Sequence, residues 1–280
     1  MEQVKMIGFD LDGTLLNSQK ELTTYTREVL AEAVRQGVVI LPATGRPVTG
    51  VPKELLAFPG IRYVVASNGG RIVDIKENKL LYNCPVPYEL SAEVLRIFDD
   101  YDVIHEIYFD GQGYIQEDEL KRLDEYVSSP PMADYIRSTR LPIPNLWEKM
   151  KAMKGHGLDK VHAIFANADE QKEAEDRIHA LGSLEISSAM GHNVEVNASG
   201  VNKGNGLLRL GKLLGIRREE IMALGDGNND LPMIRAAGLG VAMANAIDEV
   251  REAADYVTCS NDEDGAAKAI ERFVLQVHRI

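Results

Sequence analysis

Two carboxylates stand two residues apart near the start of the chain, in the stretch FDLDGTL at 9–15. The apolar residues before this stretch predict a buried strand, and side chains two apart on a strand point in the same direction. Asp10 and Asp12 would then place two negative charges side by side. Burying such a pair is costly without a cation or a shared proton. The pair therefore predicts that something nearby compensates this charge.

Three further predicted strands also end in polar residues. These sets are Thr44-Gly45-Arg46, Ser67-Asn68-Gly69-Gly70 and Asp226-Gly227-Asn228-Asn229-Asp230. Taken singly, each has an ordinary explanation: a turn at Thr44-Gly45 or Asp226-Gly227, a hairpin turn at Asn68-Gly69, or a helix N-cap at Asp230. In open α/β sheets, however, ligands bind beyond the carboxyl ends of the strands. We therefore expect the four sets to converge at one edge of a sheet.

Lys203 begins the helix that the leucine spacing predicts up to Leu214. A cation at this position opposes the helix dipole, and Gly204 and Gly206 weaken the same turn. A solvated lysine would explain this at a cost of a few tenths of a kcal/mol; alternatively, the ammonium and the helix N-terminus face one anion. Carboxylates hold Mg²⁺ through oxygen, whereas lysine, hydroxyl and amide groups hold a phosphoryl group. The combination indicates phosphoryl transfer.

Strands and helices alternate at both ends of the chain. Strands are predicted at about 4–9, 38–41, 63–66, 221–224, 239–242 and 256–257, with helices between them. This order predicts an α/β fold with a doubly wound, mostly parallel sheet that both ends of the chain complete. The middle of the chain mixes two-residue alternation, turns and helices. We therefore expect a doubly wound core of residues 1–83 and 192–280, with an α+β module inserted over 84–191.

The composition excludes several classes of protein. A net charge of −12 argues against general affinity for nucleic acid or anionic membranes. No apolar run approaches the roughly 20 residues needed to span a bilayer, and the N-terminus lacks the pattern of a signal peptide. Cys84 and Cys259 have no CxxC spacing, which indicates reduced thiols rather than a disulfide or zinc site. We expect a soluble, cytoplasmic protein; its oligomeric state is not predicted.

The motifs together resemble those of one protein family. DLDGT at 10–14, TGR at 44–46, a lone Lys203 after a long gap and GDGNND at 225–230 resemble, in this order, the four motifs of the haloacid dehalogenase superfamily. The insertion between TGR and Lys203 resembles that of the Cof-type branch, which carries a large α/β cap. The match covers the whole chain. The resemblance implies a Mg²⁺-dependent phosphatase that forms an aspartyl phosphate.

The resemblance also implies a role for each matched residue. Asp10 would be the nucleophile, and Asp12 would protonate the leaving alkoxide and then deprotonate the attacking water. Mg²⁺ would be held by the carboxylates of Asp10 and Asp226 and by the backbone carbonyl of Asp12. Asp230 would support a metal-bound water or Lys203. The phosphoryl oxygens would be held by Thr44, Lys203, Asn229 and the amides of Gly45 and Leu11.

The organic part of the substrate is less constrained. Arg46, Asn68, His192 and Glu195 lie near the motifs or near the return from the cap, and they are candidate specificity residues. A closed cap leaves no room for a polypeptide, so we expect a small phosphorylated metabolite. Sugar phosphates are favoured, followed by phosphorylated cofactors such as flavin mononucleotide or pyridoxal phosphate.

Three alternatives remain open. A phosphomutase uses the same aspartate pair on hexose phosphates and converts isomers without net phosphate release. A phosphoacceptor signalling protein also combines Asp, Mg²⁺, Thr and Lys, but here Asp10 and Asp12 share one predicted strand, which disfavours that class. A capped core without activity is the third alternative, although every motif position carries the expected residue.

Overall fold

The computed structural model describes residues 2–188 and 191–275. The strands are β1 (Met6–Phe9), β2 (Val39–Pro42), β3 (Tyr63–Ala66), β4 (Arg71–Asp74), β5 (Lys79–Asn83), β6 (Val103–Phe109), β7 (Gln112–Gln116), β8 (Arg140–Ile143), β9 (Lys160–Phe165), β10 (Leu184–Ser187), β11 (Asn193–Ala198), β12 (Ile221–Gly225), β13 (Leu239–Ala242) and β14 (Tyr256–Val257). The α-helices are α1 (Thr24–Arg35), α2 (Lys53–Leu56), α3 (Tyr88–Phe98), α4 (Glu117–Lys121), α5 (Leu123–Tyr126), α6 (Pro130–Thr139), α7 (Leu146–Ala152), α8 (Ala168–Ala180), α9 (Lys203–Leu214), α10 (Leu231–Ala236), α11 (Asp248–Ala253) and α12 (Gly265–Ile270). Short 3₁₀ turns include Val48–Gly50, Ser67–Gly69 and Asn228–Asp230.

The chain divides into two compact units. The first contains the chain up to Gly45, the segment Pro52–Leu81 and the chain from Asn202 onward; the second contains Arg46–Val51 and Tyr82–Val201. The return to the first unit thus lies ten residues later than the predicted boundary at 192. The reason is that β11 pairs antiparallel with β10 and β9 and so belongs to the sheet of the second unit. His192, Glu195 and Arg46 therefore lie in the second unit.

The first unit is built on a five-stranded parallel sheet. Its strand order is β14-β13-β12-β1-β2, so the two ends of the chain complete one sheet, as predicted. All four residues of β1 are buried, which explains its unbroken apolar sequence between two covered faces. The chain continues from β1 to β2 on one side, while β12 lies on the other side. This reversal at β1 and β12 is a topological switch point, where a crevice forms beyond the carboxyl ends of the strands.

The third predicted strand borders this sheet beside β2 but is not one of its five strands. β3 heads a separate three-stranded sheet of order β3-β4-β5 and pairs antiparallel with β4. An isolated parallel bridge between Ala43 and Val65 links it to the chain after β2. The reason is local: Ser67, Asn68 and Gly69 all have positive φ (49°, 56° and 97°) and turn the chain directly back. The hairpin-turn explanation of Asn68-Gly69 is therefore correct for the backbone.

The second unit contains a six-stranded mixed sheet of order β10-β11-β9-β6-β7-β8. One face is apolar at alternate positions of β6, β9 and β11 and packs against residues of α3, α7 and α8. The opposite face is covered in part by α5 and α6, through a small cluster that includes Ile104, Ile115 and Ile164. The rest of that face carries polar side chains. The predicted α+β class of the insertion is confirmed.

The described residues can be compared with two expectations from the sequence, one about membrane-spanning segments and one about the cysteines. No helix formed by residues 2–188 or 191–275 combines the length and the apolarity needed to cross a bilayer. Cys84 and Cys259 are free thiols, both partly buried. The expectation of reduced cysteines is consistent with this arrangement.

Candidate active site

Three carboxylates converge at the switch point of the parallel sheet. Asp10 follows β1, Asp226 follows β12, and Asp230 ends the 3₁₀ turn after it. One carboxylate oxygen from each lies within 4.8 Å of the others. Asp10 and Asp230 are buried and Asp226 is partly buried. The carboxyl ends of neighbouring parallel strands meet at one edge, so the predicted convergence is observed for these residues.

A buried lysine lies between two of these carboxylates. The Nζ of Lys203 donates to Oδ1 of Asp10 at 2.7 Å and to Oδ1 of Asp230 at 2.6 Å. Lys203 is 1% exposed, so the explanation as a solvated lysine is wrong. Burial by itself would lower the pKa of Lys203, but the two carboxylates outweigh it and raise the pKa. Its unfavourable position at the start of α9 is thus offset by two direct ion pairs.

Two glycines allow α9 to bring Lys203 to this edge. A Cβ added at Gly206 would lie 2.7 Å from the Cα of Gly69, and one at Gly204 would lie 2.4 Å from the carbonyl oxygen of Pro232. Both distances are too short for any side chain. The glycines that weaken the first turn of α9 therefore permit close contact with the 67–69 turn and with α10.

Asp230 organises the loop that carries Asp226. Its Oδ2 accepts hydrogen bonds from the amides of Asp226 and Gly227, both at 2.9 Å. Asp230 is the N-cap residue of α10 by position, as suggested from the sequence, but its side chain makes no capping hydrogen bond to that helix. Both oxygens of Asp230 have partners, since Oδ1 accepts from Lys203. Asp230 therefore fixes the positions of Asp226 and Lys203.

Gly13 and Thr14 position Asp226 from the opposite side. The Thr14 hydroxyl donates to Oδ1 of Asp226 at 2.6 Å. Gly13 has a φ of 79°, and a Cβ at this residue would lie 2.3 Å from Oδ2 of Asp226. Sequence reasoning assigned no role to either residue. The signal was present, because both directly follow Asp12 in the DLDGT motif.

The buried carboxylates carry more negative charge than Lys203 balances. Burial raises the pKa of Asp10 to about 7, with Asp230 and Asp12 adding to the increase and Lys203 opposing it. Burial, followed by Asp230 and Asp10, raises the pKa of Asp226 to about 8. A hard divalent cation would relieve this repulsion, and oxygen ligands are the donors it prefers. The residues present therefore fit a divalent metal ion.

Two of the predicted phosphate-binding residues, Thr44 and Asn229, are hydrogen-bonded to Asn68. The carbonyl of Thr44 accepts from the amide of Asn68 at 3.0 Å. The side-chain amide of Asn229 donates to Oδ1 of Asn68 at 3.3 Å. Leu11 and Gly45 follow Asp10 and Thr44 directly in the chain. Asn68, predicted as a specificity residue, thus contacts a predicted phosphate-binding residue.

The Asp12 side chain is arranged differently from the prediction. β1 ends at Phe9, so Asp10 and Asp12 follow the strand rather than alternate along it. The chain turns here, with the amide of Leu16 donating to the carbonyl of Leu11 at 2.9 Å. The Asp12 carboxylate forms an ion pair with Lys20, whose Nζ lies 2.5 Å from Oδ1. Sequence reasoning missed Lys20.

The other three candidate specificity residues lie in the second unit. Glu195 is buried on the polar face of the sheet and accepts a hydrogen bond from Lys160. The Arg46 guanidinium lies 3.8 Å from the centroid of the Tyr135 ring and is buried. His192 is exposed and precedes β11. Glu195 and Arg46 are therefore held by charged or aromatic neighbours, whereas His192 faces solvent.

A buried ion-pair network occupies the same polar face. Oε2 of Glu106 accepts from Nε of Arg140 at 2.9 Å and lies 3.2 Å from Nδ1 of His162. Burial would raise the pKa of Glu106, but Arg140 and His162 outweigh it and hold the pKa well below its usual value. Gly113 leaves space for Arg140, because a Cβ there would lie 2.6 Å from Cδ of the arginine. Sequence reasoning missed this network, although Lys160 and His162 alternate with apolar residues along β9.

One family model and one related protein each match nearly the whole chain. The family model described as haloacid dehalogenase-like hydrolase matches residues 7–270. The 5-amino-6-(5-phospho-D-ribitylamino)uracil phosphatase YcsE of Bacillus subtilis is 30% identical over 278 residues, covering 97% of this chain and 96% of that protein.

Two solved structures are similar along nearly their whole length. A haloacid dehalogenase-like hydrolase from B. subtilis has a TM-score of 0.86 at 28% identity, covering 97% of this chain and 100% of that one. The HAD subclass IIB sugar phosphatase BT4131 has a TM-score of 0.81 at 27% identity, covering 96% and 99%. The similarity therefore extends over both compact units.

Proposed function

The chain belongs to the haloacid dehalogenase-like hydrolases, and from this membership we propose that it is a Mg²⁺-dependent phosphatase of small phosphate monoesters. The observation that carries the proposal is the buried Asp10 carboxylate, held 2.7 Å from Lys203 and beside Asp226 at the switch point. A nucleophile, a cation for the phosphoryl group and oxygen ligands for a metal are the components of phosphoryl transfer.

In the first step, Asp10 attacks the phosphorus atom of the ester. A bond forms between a carboxylate oxygen and phosphorus, and the bond from phosphorus to the ester oxygen breaks. Asp12 gives its proton to the departing alkoxide. Asp10 must be ionised for this attack; the adjacent Lys203 ammonium favours the ionised form, whereas burial raises the pKa of Asp10 to about 7.

In the second step, water hydrolyses the aspartyl phosphate. Asp12, now ionised, removes a proton from the water while its oxygen bonds to phosphorus. The bond between phosphorus and the Asp10 oxygen breaks, and inorganic phosphate leaves. Both aspartates then return to their starting protonation states, so the cycle balances.

The remaining residues bind the phosphoryl group and the metal. Mg²⁺ would be held by the Asp10 and Asp226 carboxylates and the Asp12 carbonyl, where it would neutralise charge and orient the phosphoryl group. Asp230 supports this set through Lys203 and the 226–230 loop. The phosphoryl oxygens would be held by Lys203, Thr44, Asn229 and the amides of Gly45 and Leu11.

We propose that the second unit selects the organic part of the substrate. The relatives act on small molecules: YcsE is named for a phosphoribitylamino-uracil and BT4131 for sugar phosphates. We therefore favour a small phosphorylated metabolite, with sugar phosphates first and flavin mononucleotide or pyridoxal phosphate next. Arg46, Asn68 and Glu195 are buried polar residues and remain specificity candidates, whereas the exposed His192 has less support. The cytoplasm remains the predicted compartment.

The test is phosphate release from a panel of small phosphate esters, with Mg²⁺ and with excess chelator. We expect release that requires the metal and is lost in Asp10→Asn, which keeps the shape of the side chain but not its charge. Conversion of hexose phosphate isomers in the presence of a bisphosphate, without net phosphate release, would instead establish the phosphomutase alternative.

A further inference from the structure

We propose that Lys20 is a positioning residue that fixes the Asp12 carboxylate for its acid and base steps. This inference rests on the proposed function, which gives Asp12 those steps. The Lys20 ammonium lies 2.5 Å from Oδ1 of Asp12, and both side chains are about one quarter exposed, at 24% and 25%. An ammonium that binds one carboxylate oxygen restricts the rotation of the side chain. The second oxygen is thereby held in a defined direction.

A closed loop holds Lys20 in place. Oδ1 of Asn17 accepts from the amides of Gln19 and Glu21, at 3.0 and 2.9 Å. The carbonyl of Asn17 also accepts from the amide of Lys20 at 2.9 Å, and its amide donates to the carbonyl of Glu21 at 3.0 Å. A single asparagine thus closes the loop over 17–21 by the side-chain hydrogen bonding that favours Asn in turns.

The backbone of Lys20 is in an unusual conformation for its residue type. Its φ is 64°, in the left-handed region that Gly, Asn and Asp tolerate better than residues with long side chains. The other non-glycine residues with positive φ in the described chain are all Ser, Asn or Asp: Ser67, Asn68, Asn78, Asp110, Ser183 and Asp264. A lysine at this position runs against local propensity. Such exceptions concentrate where a side chain has a function.

The loop is tied to a distant part of the same unit. Both the amide and the hydroxyl of Ser18 donate to the Asp262 carboxylate, at 2.7 and 2.6 Å. The Asn261 side chain donates to the carbonyl of Leu16 at 3.0 Å. These bonds restrain the chain on the N-terminal side of Lys20. The ammonium is therefore presented to Asp12 by a fixed scaffold.

Loss of this contact would affect the chemical steps more than binding. Asp12 must direct one oxygen at the leaving alkoxide in the first step and at the attacking water in the second. Without Lys20, fewer Asp12 conformers are productive, so kcat falls. The ionic contact of Lys20 is to Asp12, whereas Lys203 and Thr44 are the proposed phosphate ligands. KM should therefore change little.

The test compares Lys20→Asn with the unmodified protein. Asparagine tolerates the left-handed backbone but is too short to reach Asp12, so the loop keeps its conformation while the ion pair is lost. We expect kcat on an alkyl phosphate to fall by roughly 10- to 100-fold, with KM within about twofold. Lys20→Arg, which keeps a cation, should recover part of kcat. The exposed Lys53→Met is the matched control and should behave as the unmodified protein.

The amount of phosphoenzyme is a second measurement. It separates a loss of Asp12 positioning from a general loss of activity. The p-nitrophenolate leaving group departs without a proton, so with p-nitrophenyl phosphate the first step bypasses Asp12. Hydrolysis of the aspartyl phosphate still needs the base. Lys20→Asn should therefore accumulate more phosphoenzyme than the unmodified protein after acid quenching.

The following results would overturn the inference. A kcat within about twofold of normal, a higher kcat, or a lower kcat with no increase in phosphoenzyme would each contradict it. Lys20→Gly, which also tolerates positive φ, replaces Lys20→Asn if thermal unfolding shows that the latter is misfolded. Phosphate release by the unmodified protein, and its loss in Asp10→Asn, tests the proposed function separately from these variants.

Discussion

Charge balance at single residues explains why this site is assembled as it is. Asp10, Asp226 and Asp230 lie within 4.8 Å of one another, and Lys203 supplies a single positive charge among them. Burial of excess carboxylate charge raises the pKa values of Asp10 and Asp226. The metal-free site therefore binds protons, and a divalent cation competes with them.

The first prediction concerns stability against pH. The pKa values of Asp10 and Asp226 rise from 3.8 to about 7 and about 8 on folding. A raised carboxyl pKa stabilises the folded state at low pH, and this contribution is lost as pH rises through 7 and 8. In chelator, the site should therefore destabilise the protein increasingly between about pH 5 and 8, and Mg²⁺ should raise the melting temperature more at the higher pH.

The comparison of Mg²⁺ with chelator at each pH isolates the site. Groups elsewhere, such as Glu106 with its lowered pKa, contribute equally to both samples. Asp226→Asn should reduce the increase in melting temperature that Mg²⁺ causes, whereas a substitution at an exposed residue, Asp118→Asn, should leave this increase unchanged. If Mg²⁺ raised the melting temperature equally at about pH 5 and about pH 8, the raised pKa values of Asp10 and Asp226 would be contradicted.

A second prediction uses two glycines with nearly the same positive φ. Gly13 and Gly37 have φ of 79° and 82°, but only Gly13 is crowded: its Cβ would lie 2.3 Å from Oδ2 of Asp226, while nothing lies within 4 Å at Gly37. Gly37→Ala should cost about 1–2 kcal/mol from strain alone and keep activity. Gly13→Ala should cost more and lower kcat by at least about tenfold, because Asp226 must move.

Urea unfolding and steady-state kinetics of both variants check this prediction. The difference between the two variants reports the contact with Asp226, since the strain is common to both. Equal losses of stability and equal activity would show that Gly13 serves only the turn.

Sequence reasoning worked best for residues in long motifs and failed for residues recognised by their contacts. Asp10, Asp226 and Lys203 converge as expected because strand ends meet at the switch point of the sheet. Lys20 and Thr14 were missed, since their roles depend on which carboxylate each one touches. Asp230 was interpreted as a possible N-cap and holds that position in α10, but its side chain bonds amides on its own N-terminal side. Residue spacing does not determine which backbone amides the Asp230 carboxylate binds.

At the level of elements, α9 shows how packing overrides intrinsic preference. The Gly-rich first turns of α9 lower its helix propensity, yet they carry Lys203 to the buried carboxylates. β3 shows the same competition in another form. Its apolar sequence predicted a place in the parallel sheet, but three consecutive residues with positive φ turn the chain into an antiparallel hairpin. Turn geometry determined the antiparallel pairing with β4, while a single parallel bridge links β3 to the chain after β2.

The third prediction tests this competition in α9. Helix propensity favours Gly206→Ala by up to about 1 kcal/mol. Packing opposes it, because the Cβ would lie 2.7 Å from the Cα of Gly69 and 2.8 Å from Cγ1 of Val65. We expect a net destabilisation of about 1–3 kcal/mol and reduced activity through displacement of Lys203.

Denaturant unfolding of Gly206→Ala provides the measurement. Leu213→Ala, which changes a 56% exposed residue of the same helix, is the control and should stay within about 0.5 kcal/mol. A more stable Gly206→Ala protein with full activity would show that α9 can move away from the 67–69 turn without cost.

At the scale of the whole molecule, two units are built from interleaved segments of one chain. The chain leaves the first unit after Gly45 and again after Leu81, and it returns at Pro52 and at Asn202. The first exit and the last return thus adjoin the proposed phosphate-binding residues Thr44, Gly45 and Lys203. The insertion was predicted over 84–191, and no strand was predicted at β11; the pairing of β11 with β10 and β9 places it in the second unit.

The most direct test of the account is to trap the phosphorylated enzyme. The protein is mixed with p-nitrophenyl phosphate, whose leaving group needs no proton, and Mg²⁺, quenched in acid within one turnover, and digested for peptide mass spectrometry. We predict a phosphoryl group on Asp10, absent in chelator and more abundant in Asp12→Asn, where hydrolysis lacks its base. Turnover with no phosphorylated Asp10 even in Asp12→Asn, or a phosphoryl group on another residue, would contradict the central claim that Asp10 is the nucleophile.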